Sequence, residues 1–236
     1  MENAFGTALA PIPQKTKKAS ARIAIVDVKD GTRAILSECF RQFGIESVVM
    51  TANAAERLRK EKFEACVIHL GPGAPAVMEA VRTSTSNSRM VIYGLGGSAQ
   101  EAMRYSKYGI NAIFHEPVER SAALKLVRAT NMLVLHEFRR YVRIPVITEV
   151  AVQTPGKKIT ATSVEVSSGG MSLRCGEDVG TGQTVEVSFA LLTLPRVWVR
   201  GNVTWKKPKH SFGVKFDPAD ERRQKLKEWI DAYLES

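Results

Sequence analysis

The chain has 236 residues, 44% hydrophobic and 25% charged, a balance that fits a soluble globular protein with room for two modest domains. A formal net charge of +10 and a sequence pI near 9.6 favour anionic partners without choosing among nucleic acid, acidic membrane surface and charged nucleotide. Three dispersed cysteines (Cys39, Cys66, Cys175) argue against a disulfide scaffold, and no apolar run approaches the roughly 20 residues that span a bilayer. With no leader-peptide core at the start either, the expectation is a cytoplasmic protein without membrane insertion.

Residues 1–20, with two prolines and the Lys15-Thr16-Lys17-Lys18 cluster, show no periodicity and read as a disordered tail. From there to residue 137 the pattern is α/β. Ile23-Ala24-Ile25-Val26 has the continuous apolar character of a buried parallel strand and ends at Asp27. Ile35, Cys39, Phe40 and Phe43 recur at helical spacing, with Gly44 as the stop. Ser47–Met50, Ala65–Ile68, Met90–Tyr93 and Ala112–Phe114 supply four more strands, with helices over Ala52–Lys60 and around Gln100–Tyr108. Five strands alternating with helices predict a doubly wound parallel sheet. Gly94-Leu95-Gly96-Gly97-Ser98 lacks full dinucleotide-binding spacing and reads as a strand-to-helix turn.

This layout resembles a response-regulator receiver. The chemistry of that family needs an aspartate acceptor after strand three, paired acids after strand one, a hydroxyl after strand four and a lysine before the proline after strand five. Here those positions read His69, Asp27 followed by Val28, Gly94 and Glu116. The resemblance therefore implies a pseudo-receiver that makes no aspartyl phosphate and is kept for packing or for a protein partner.

Ser121–Phe138 holds neither Gly nor Pro and predicts a helix with Leu124, Val127, Leu133 and Leu135 on one side. Residues 138–236 then turn to β. Val146, Thr148, Val150 and Val152 alternate up to a Thr154-Pro155-Gly156 turn, and strands follow at Ile159–Val166, Met171–Leu173, Thr184–Leu191, Val197–Trp205 and Phe212–Phe216. Regular spacing with turn signals between predicts a small antiparallel β-barrel, with Trp198 and Trp205 in its core. Asp217 as N-cap and Pro218 at the first helical position open a final helix that packs Leu226, Trp229, Ile230, Tyr233 and Leu234 on the barrel.

The residues with chemistry to offer sit at the start of this half. Arg139, Arg140 and Arg143 stand where the helix gives way to a strand-like Ile144–Ile147, and a guanidinium fork matches phosphate oxygens or a guanine O6/N7 edge. Glu165-Val166-Ser167-Ser168-Gly169-Gly170 answers one hairpin later with hydroxyls and a backbone free of side-chain bulk. Together they read as a site for a small anionic guanine nucleotide; the alternative is a basic helix end that satisfies its own last carbonyls.

The two stretches resemble the PilZ domain, whose signature is Arg-x-x-x-Arg followed by Asp/Asn-x-Ser-x-x-Gly. Arg139 and Arg143 fit the first element, Ser167 and Gly170 fit the second, and Glu165 stands where the family has Asp or Asn. The resemblance covers about the last hundred residues and implies a six-stranded barrel with a terminal helix. It implies a non-enzymatic receptor for cyclic di-GMP, with Arg139, Arg140, Arg143, Glu165, Ser167, Gly169 and Gly170 as the ligand site. On that reading the ligand orders the Phe138–Arg143 joint and reorients the pseudo-receiver. A ligand-independent adaptor is the alternative.

No cofactor is expected. The four histidines are not at metal-ligand spacing, no nucleophile–base arrangement has motif context, and no specific nucleic-acid motif accompanies the basic surface.

Overall fold

The structure is a computed structural model that describes residues 20–97, 99–208 and 210–235; residues 1–19 of the expected tail lie outside them. It divides into two compact units, one ending at Phe138 and one beginning at Arg139.

The first unit alternates β1 (Arg22–Val26), α1 (Asp30–Arg41), β2 (Glu46–Met50), α2 (Ala54–Lys60), β3 (Ala65–His69), α3 (Ala74–Thr83), β4 (Val91–Leu95), α4 (Ala99–Arg104) and β5 (Ala112–Phe114), and is closed by α5 (Arg120–Tyr141). The strands are parallel in the order 2-1-3-4-5, the flavodoxin-like doubly wound arrangement. Strand side chains alternate between two cores. Ile23, Ile25, Val67 and Tyr93 meet Leu36, Cys39 and Phe40 of α1 and Ala123, Val127 and Val134 of α5. Ala24, Val26, Cys66 and Ile92 meet Leu58 of α2 and Val77, Met78 and Val81 of α3.

The sequence reading missed α3. Its pattern of Ala74, Val77, Met78 and Val81 is helical, with Pro75 inside the first turn where its missing N–H costs nothing. On α5 the buried residues are Ala123, Val127, Thr130, Val134 and Glu137, so the inward stripe is rotated and Leu133, expected inside, is 47% exposed. Thr130 donates to the Leu126 carbonyl at 2.8 Å and so accepts from the buried Tyr93 hydroxyl at 2.7 Å.

The second unit contains β6 (Ile144–Pro145), β7 (Glu149–Gln153), β8 (Lys158–Ser167), β9 (Gly170–Arg174), β10 (Thr184–Leu191), β11 (Leu194–Lys207), β12 (Ser211–Phe216) and α6 (Gln224–Glu235). The order 8-7-10-11-12-9 closes through the β8–β9 pairing into a six-stranded antiparallel barrel, with the two-residue β6 added along β8. Val150, Val152, Ile159, Val187, Phe189, Val199 and Phe216 fill it. Leu226 and Ile230 of α6 are fully buried.

Asp217 does not cap α6. Its carboxylate accepts from Ala219 N–H in a turn, and Asp220 caps the 3-10 turn Glu221–Arg223 that leads into the helix. Asp220 also accepts from Arg200 N–H and the Arg222 guanidinium, and these bonds hold its pKa far below the usual carboxylate range.

One buried acid makes the first unit's stability sensitive to pH. Glu64, 5% exposed, accepts the Arg22 N–H at 2.7 Å; burial raises its pKa, that hydrogen bond and the charges of Lys62 and Arg22 oppose the rise, and Glu137 adds to it. A carboxyl whose folded pKa exceeds its unfolded one opposes folding above the folded value, and the penalty fades as pH falls through it. Glu64→Gln keeps an acceptor for Arg22 and removes the charge. It is expected to be more stable than the parent at pH 8, with the gap closing towards pH 4 in urea denaturation; a pH-independent gap would refute this assignment.

Candidate ligand site on the barrel

The predicted site residues are arranged by two irregularities in the barrel. Strict alternation would put Glu165 on the same face of β8 as Ser163, which is 2% exposed and sits opposite the core residue Leu173. A bulge between Ser163 and Glu165 instead sets Glu165 opposite Ser172, on the outer face. A second bulge, between Val203 and Trp205 of β11, does the same for Trp205: Val203 points into the core, while Trp205 lies opposite Gly213 on the outside. Since β8, β9, β12 and β11 are successive neighbours, Glu165, Ser172, Gly213 and Trp205 form one row across the outer surface. Three inter-strand spacings make that row about 14 Å long.

The floor of the row is small. A side chain at Gly213 would collide with the Trp205 indole, so the ring lies flat against this glycine. Ser172 is 8% exposed and donates to Glu165 Oε1 at 3.0 Å. Lys207 Nζ sits 5.2 Å from the Trp205 ring centroid, a cation–π contact. The next row carries Ser167, Gly170 and Lys215.

Arg143 precedes β6, whose Ile144 and Pro145 pair with Val166 and Glu165. It therefore stands level with Ser167, and its Nη1 lies 3.5 Å from Glu165 Oε1. The structure thus brings Arg143, Glu165, Ser167 and Gly170 to one edge. Arg139 and Arg140 lie in the last turn of α5. Arg139 Nε faces Asp231 of α6 at 3.6 Å, and the Arg140 guanidinium lies 5.6 Å from the Tyr141 ring centroid.

The hairpin residues divide their roles. Ser167, 6% exposed, donates its hydroxyl to the Gly170 carbonyl at 3.0 Å, which locks the Ser168-Gly169 turn and leaves its oxygen able to accept. A side chain at Gly170 would strike the Val214 carbonyl of β12, so this glycine is required by strand packing. Gly169 has nothing within 4 Å of where a Cβ would stand, and it is the open position.

Both tryptophans depart from the expected core placement. Trp198 is 44% exposed, because in its phase the odd-numbered Val197 and Val199 take the inside. Trp205 shares the inward phase of Val199 and Val203 and leaves it through the bulge. Sequence reasoning missed Trp205 as a site residue. The available signal was the glycine at 213, in a strand otherwise made of Phe212, Val214 and Phe216.

At the C-terminal ends of the parallel strands, where such sheets hold ligands, Asp27 follows β1 with a left-handed φ of 52°, and Val28 stands at the position of a receiver's second acid. His69 Nε2 is 3.5 Å from Glu116 Oε2. Val28 is buried at 7% exposure. Gly94, read as the hydroxyl position, lies inside β4 against Leu70; the strand's exit is Gly96, at φ +77°, whose missing side chain leaves room for the Glu116 carboxylate. Among the described residues no three His, Cys, Asp or Glu are placed to hold a metal. No helix among them is long and apolar enough to cross a membrane.

Compared with known families, residues 137–232 match the PilZ domain. This chain carries a PilZ domain. No curated protein matches the chain. Among solved structures, the receiver domain of a sensor histidine kinase from Pseudomonas aeruginosa is 16% identical over 49% of this chain and 98% of its own, with a TM-score of 0.41. The PilZ domain of CeSA from a cellulose-synthesizing bacterium is 11% identical over 39% of this chain and 97% of its own, with a TM-score of 0.34. The inhibitor of motility of Bacillus subtilis is 19% identical over 40% of this chain and 50% of its own, also at 0.34. The receiver-like character of the first unit rests on its strand order, upstream of the PilZ domain.

Gly213→Ala is expected to lift Trp205 off the PilZ surface, shift its indole N–H resonance and cost about 1–3 kcal/mol of stability. An unmoved resonance would show that Trp205 is held by something other than this contact.

Proposed function

We propose that the protein is a bacterial signalling receptor that binds cyclic di-GMP on the outer face of its PilZ barrel. The observation that carries this reading is the convergence of Arg143, Glu165, the Ser167–Gly170 hairpin and Trp205 on one surface. Cyclic di-GMP offers two phosphates and two guanines, and the surface has a counterpart for each. The Arg143 fork takes a phosphate or a guanine O6/N7 edge, with Arg139 as the second cation of the clamp and Arg140 beside it. Glu165 accepts from a guanine N1/N2 edge, Ser167 accepts a further bond, Gly169 leaves the backbone open, and Trp205 supplies a flat face for a base.

Binding requires an exchange of partners. Arg143 faces Glu165 in the free protein, so a phosphate that takes the guanidinium releases the carboxylate for a guanine. The helix α5 is continuous from the receiver-like half into Arg139 and Arg140, and ordering of residues 139–143 by ligand is the relay of this reading. With His69 at the acceptor position the receiver-like half serves as a docking module for a protein partner.

A second reading, a ligand-independent adaptor, is favoured by one observation: Arg139 and Arg143 both already face carboxylates. It predicts partner capture that is indifferent to nucleotide and to Arg139→Ala.

Isothermal titration of the full chain with cyclic di-GMP separates the two. The receptor reading expects saturable binding, weakened roughly ten- to a hundred-fold by Arg143→Ala, the effect of losing one charge-assisted bond. Glu165→Asp is expected to retain binding. No heat at tens of micromolar ligand, or equal heat from Arg143→Ala, would rule the reading out.

A further inference from the structure

We infer that Asp231 of α6 is a built-in competitor for Arg139, so that the terminal helix regulates the ligand site and is loosened when that site fills. The inference rests on the receptor reading above. Asp231 Oδ1 lies 3.6 Å from Arg139 Nε, with side chains 32% and 30% exposed. At that separation the two groups attract as charges without a good hydrogen bond. A phosphate that docks bidentately on the guanidinium supplies the bonds that Asp231 does not.

The carboxylate is held in place by its helix. Ile230, its neighbour in sequence, is 1% exposed, and Leu226 one turn earlier is 0% exposed. Trp229 Nε1 donates to Thr193 Oγ1 of the β10–β11 turn at 3.1 Å, and the Trp229 ring stacks on Tyr233 with centroids 5.6 Å apart. Asp231 is thus presented to Arg139 by packing and is no freely moving surface acid. Glu165 faces Arg143 in a comparable way, but it sits on a barrel strand and has a second tie to Ser172. Asp231, by contrast, belongs to an element outside the barrel's hydrogen-bonded ladder.

Reciprocity follows from thermodynamic linkage. If ligand takes Arg139 from Asp231, filling the site removes one attachment of α6, and removing that attachment favours filling the site by the same factor. The terminal helix becomes the element that reports occupancy.

Asp231→Asn preserves shape and removes the charge. In the full chain it is expected to bind cyclic di-GMP two- to five-fold more tightly than the parent, the range of a partly exposed ion pair. The gain is expected to vanish in an Arg139→Ala background. Hydrogen exchange of the unmutated protein provides a readout without substitution: ligand is expected to speed exchange of the amides over 226–235. If the parent binds but Asp231→Asn binds equally or more weakly, or if ligand leaves α6 exchange unchanged or slower, Asp231 is not a competitor and the receptor reading stands. If the parent does not bind, both fall together.

Discussion

The surface that defines the PilZ half exists because two strands of its barrel each carry one residue more than a regular ladder would take. Pleating fixes which face each side chain occupies, and the extra residue in β8 and in β11 reverses the phase beyond it. Without the first bulge Glu165 would enter the core, an uncompensated carboxylate among Leu173 and Met171. Without the second, Trp205 would compete for space with Phe212, Val214 and Phe216. The bulges bring one acid and one aromatic into a single outward row, and Ser172 and Gly213 between them are small enough to leave it accessible. Gly170 and Gly213 are glycines for neighbouring reasons: one lets a strand approach, the other lets a ring lie down.

The receiver-like half is complete as a fold without a full set of receiver carboxylates. Its parallel sheet and two helical layers are complete, and strand order places a crevice at the carboxyl ends of β1 and β3. Among the described residues at these strand ends are Asp27, an imidazole facing a carboxylate, a buried valine and a left-handed glycine. A divalent cation that binds phosphate needs a concentration of hard oxygen ligands, and the exchange of aspartate for His69 and of acid for Val28 removes it.

Much of this architecture was legible in the chain. The apolar runs at Ile23–Val26 and Ala65–Ile68 announced parallel strands because such strands are buried on both faces, and the alternation from Val150 onward announced an antiparallel sheet with one solvated face. The candidate site residues stand out as a motif, since arginines and a hydroxyl–glycine turn are chemically distinctive. The failures differ in cause, and the placement of the tryptophans depends on a phase that local sequence does not carry. A period-two reading cannot see a bulge, so Trp205 was assigned inward. Its neighbour Trp198 was given the same phase although seven residues separate them. Asp217-Pro218 has the letters of a helix start, but Asp220 won the role because Arg200 and Arg222 supply it with three kinds of donor. The helix α3 was hidden by the Gly71-Pro72-Gly73 turn, and the proline at 75 extended that impression into a segment where proline is harmless.

The chain's overall charge says little about what its surface selects. Screening limits the reach of exposed charges to about 8–10 Å at ordinary ionic strength, so a ligand at the barrel responds to the few groups beside it. There, Arg139 and Arg143 each stand within 4 Å of a carboxylate, Asp231 at 3.6 Å and Glu165 at 3.5 Å, separations too long for strong hydrogen bonds. An anion must do better than those carboxylates to displace them. A simple monovalent ion gains one exposed charge pair and loses another, which is close to an even exchange. On the proposed reading, a phosphodiester with an attached purine gains the guanidinium fork, a base edge for the freed Glu165, and an aromatic ring beside it. If the chain is the receptor proposed above, paired arginines act as a filter that favours ligands bringing charge, hydrogen-bonding edges and a flat apolar face together over those bringing charge alone.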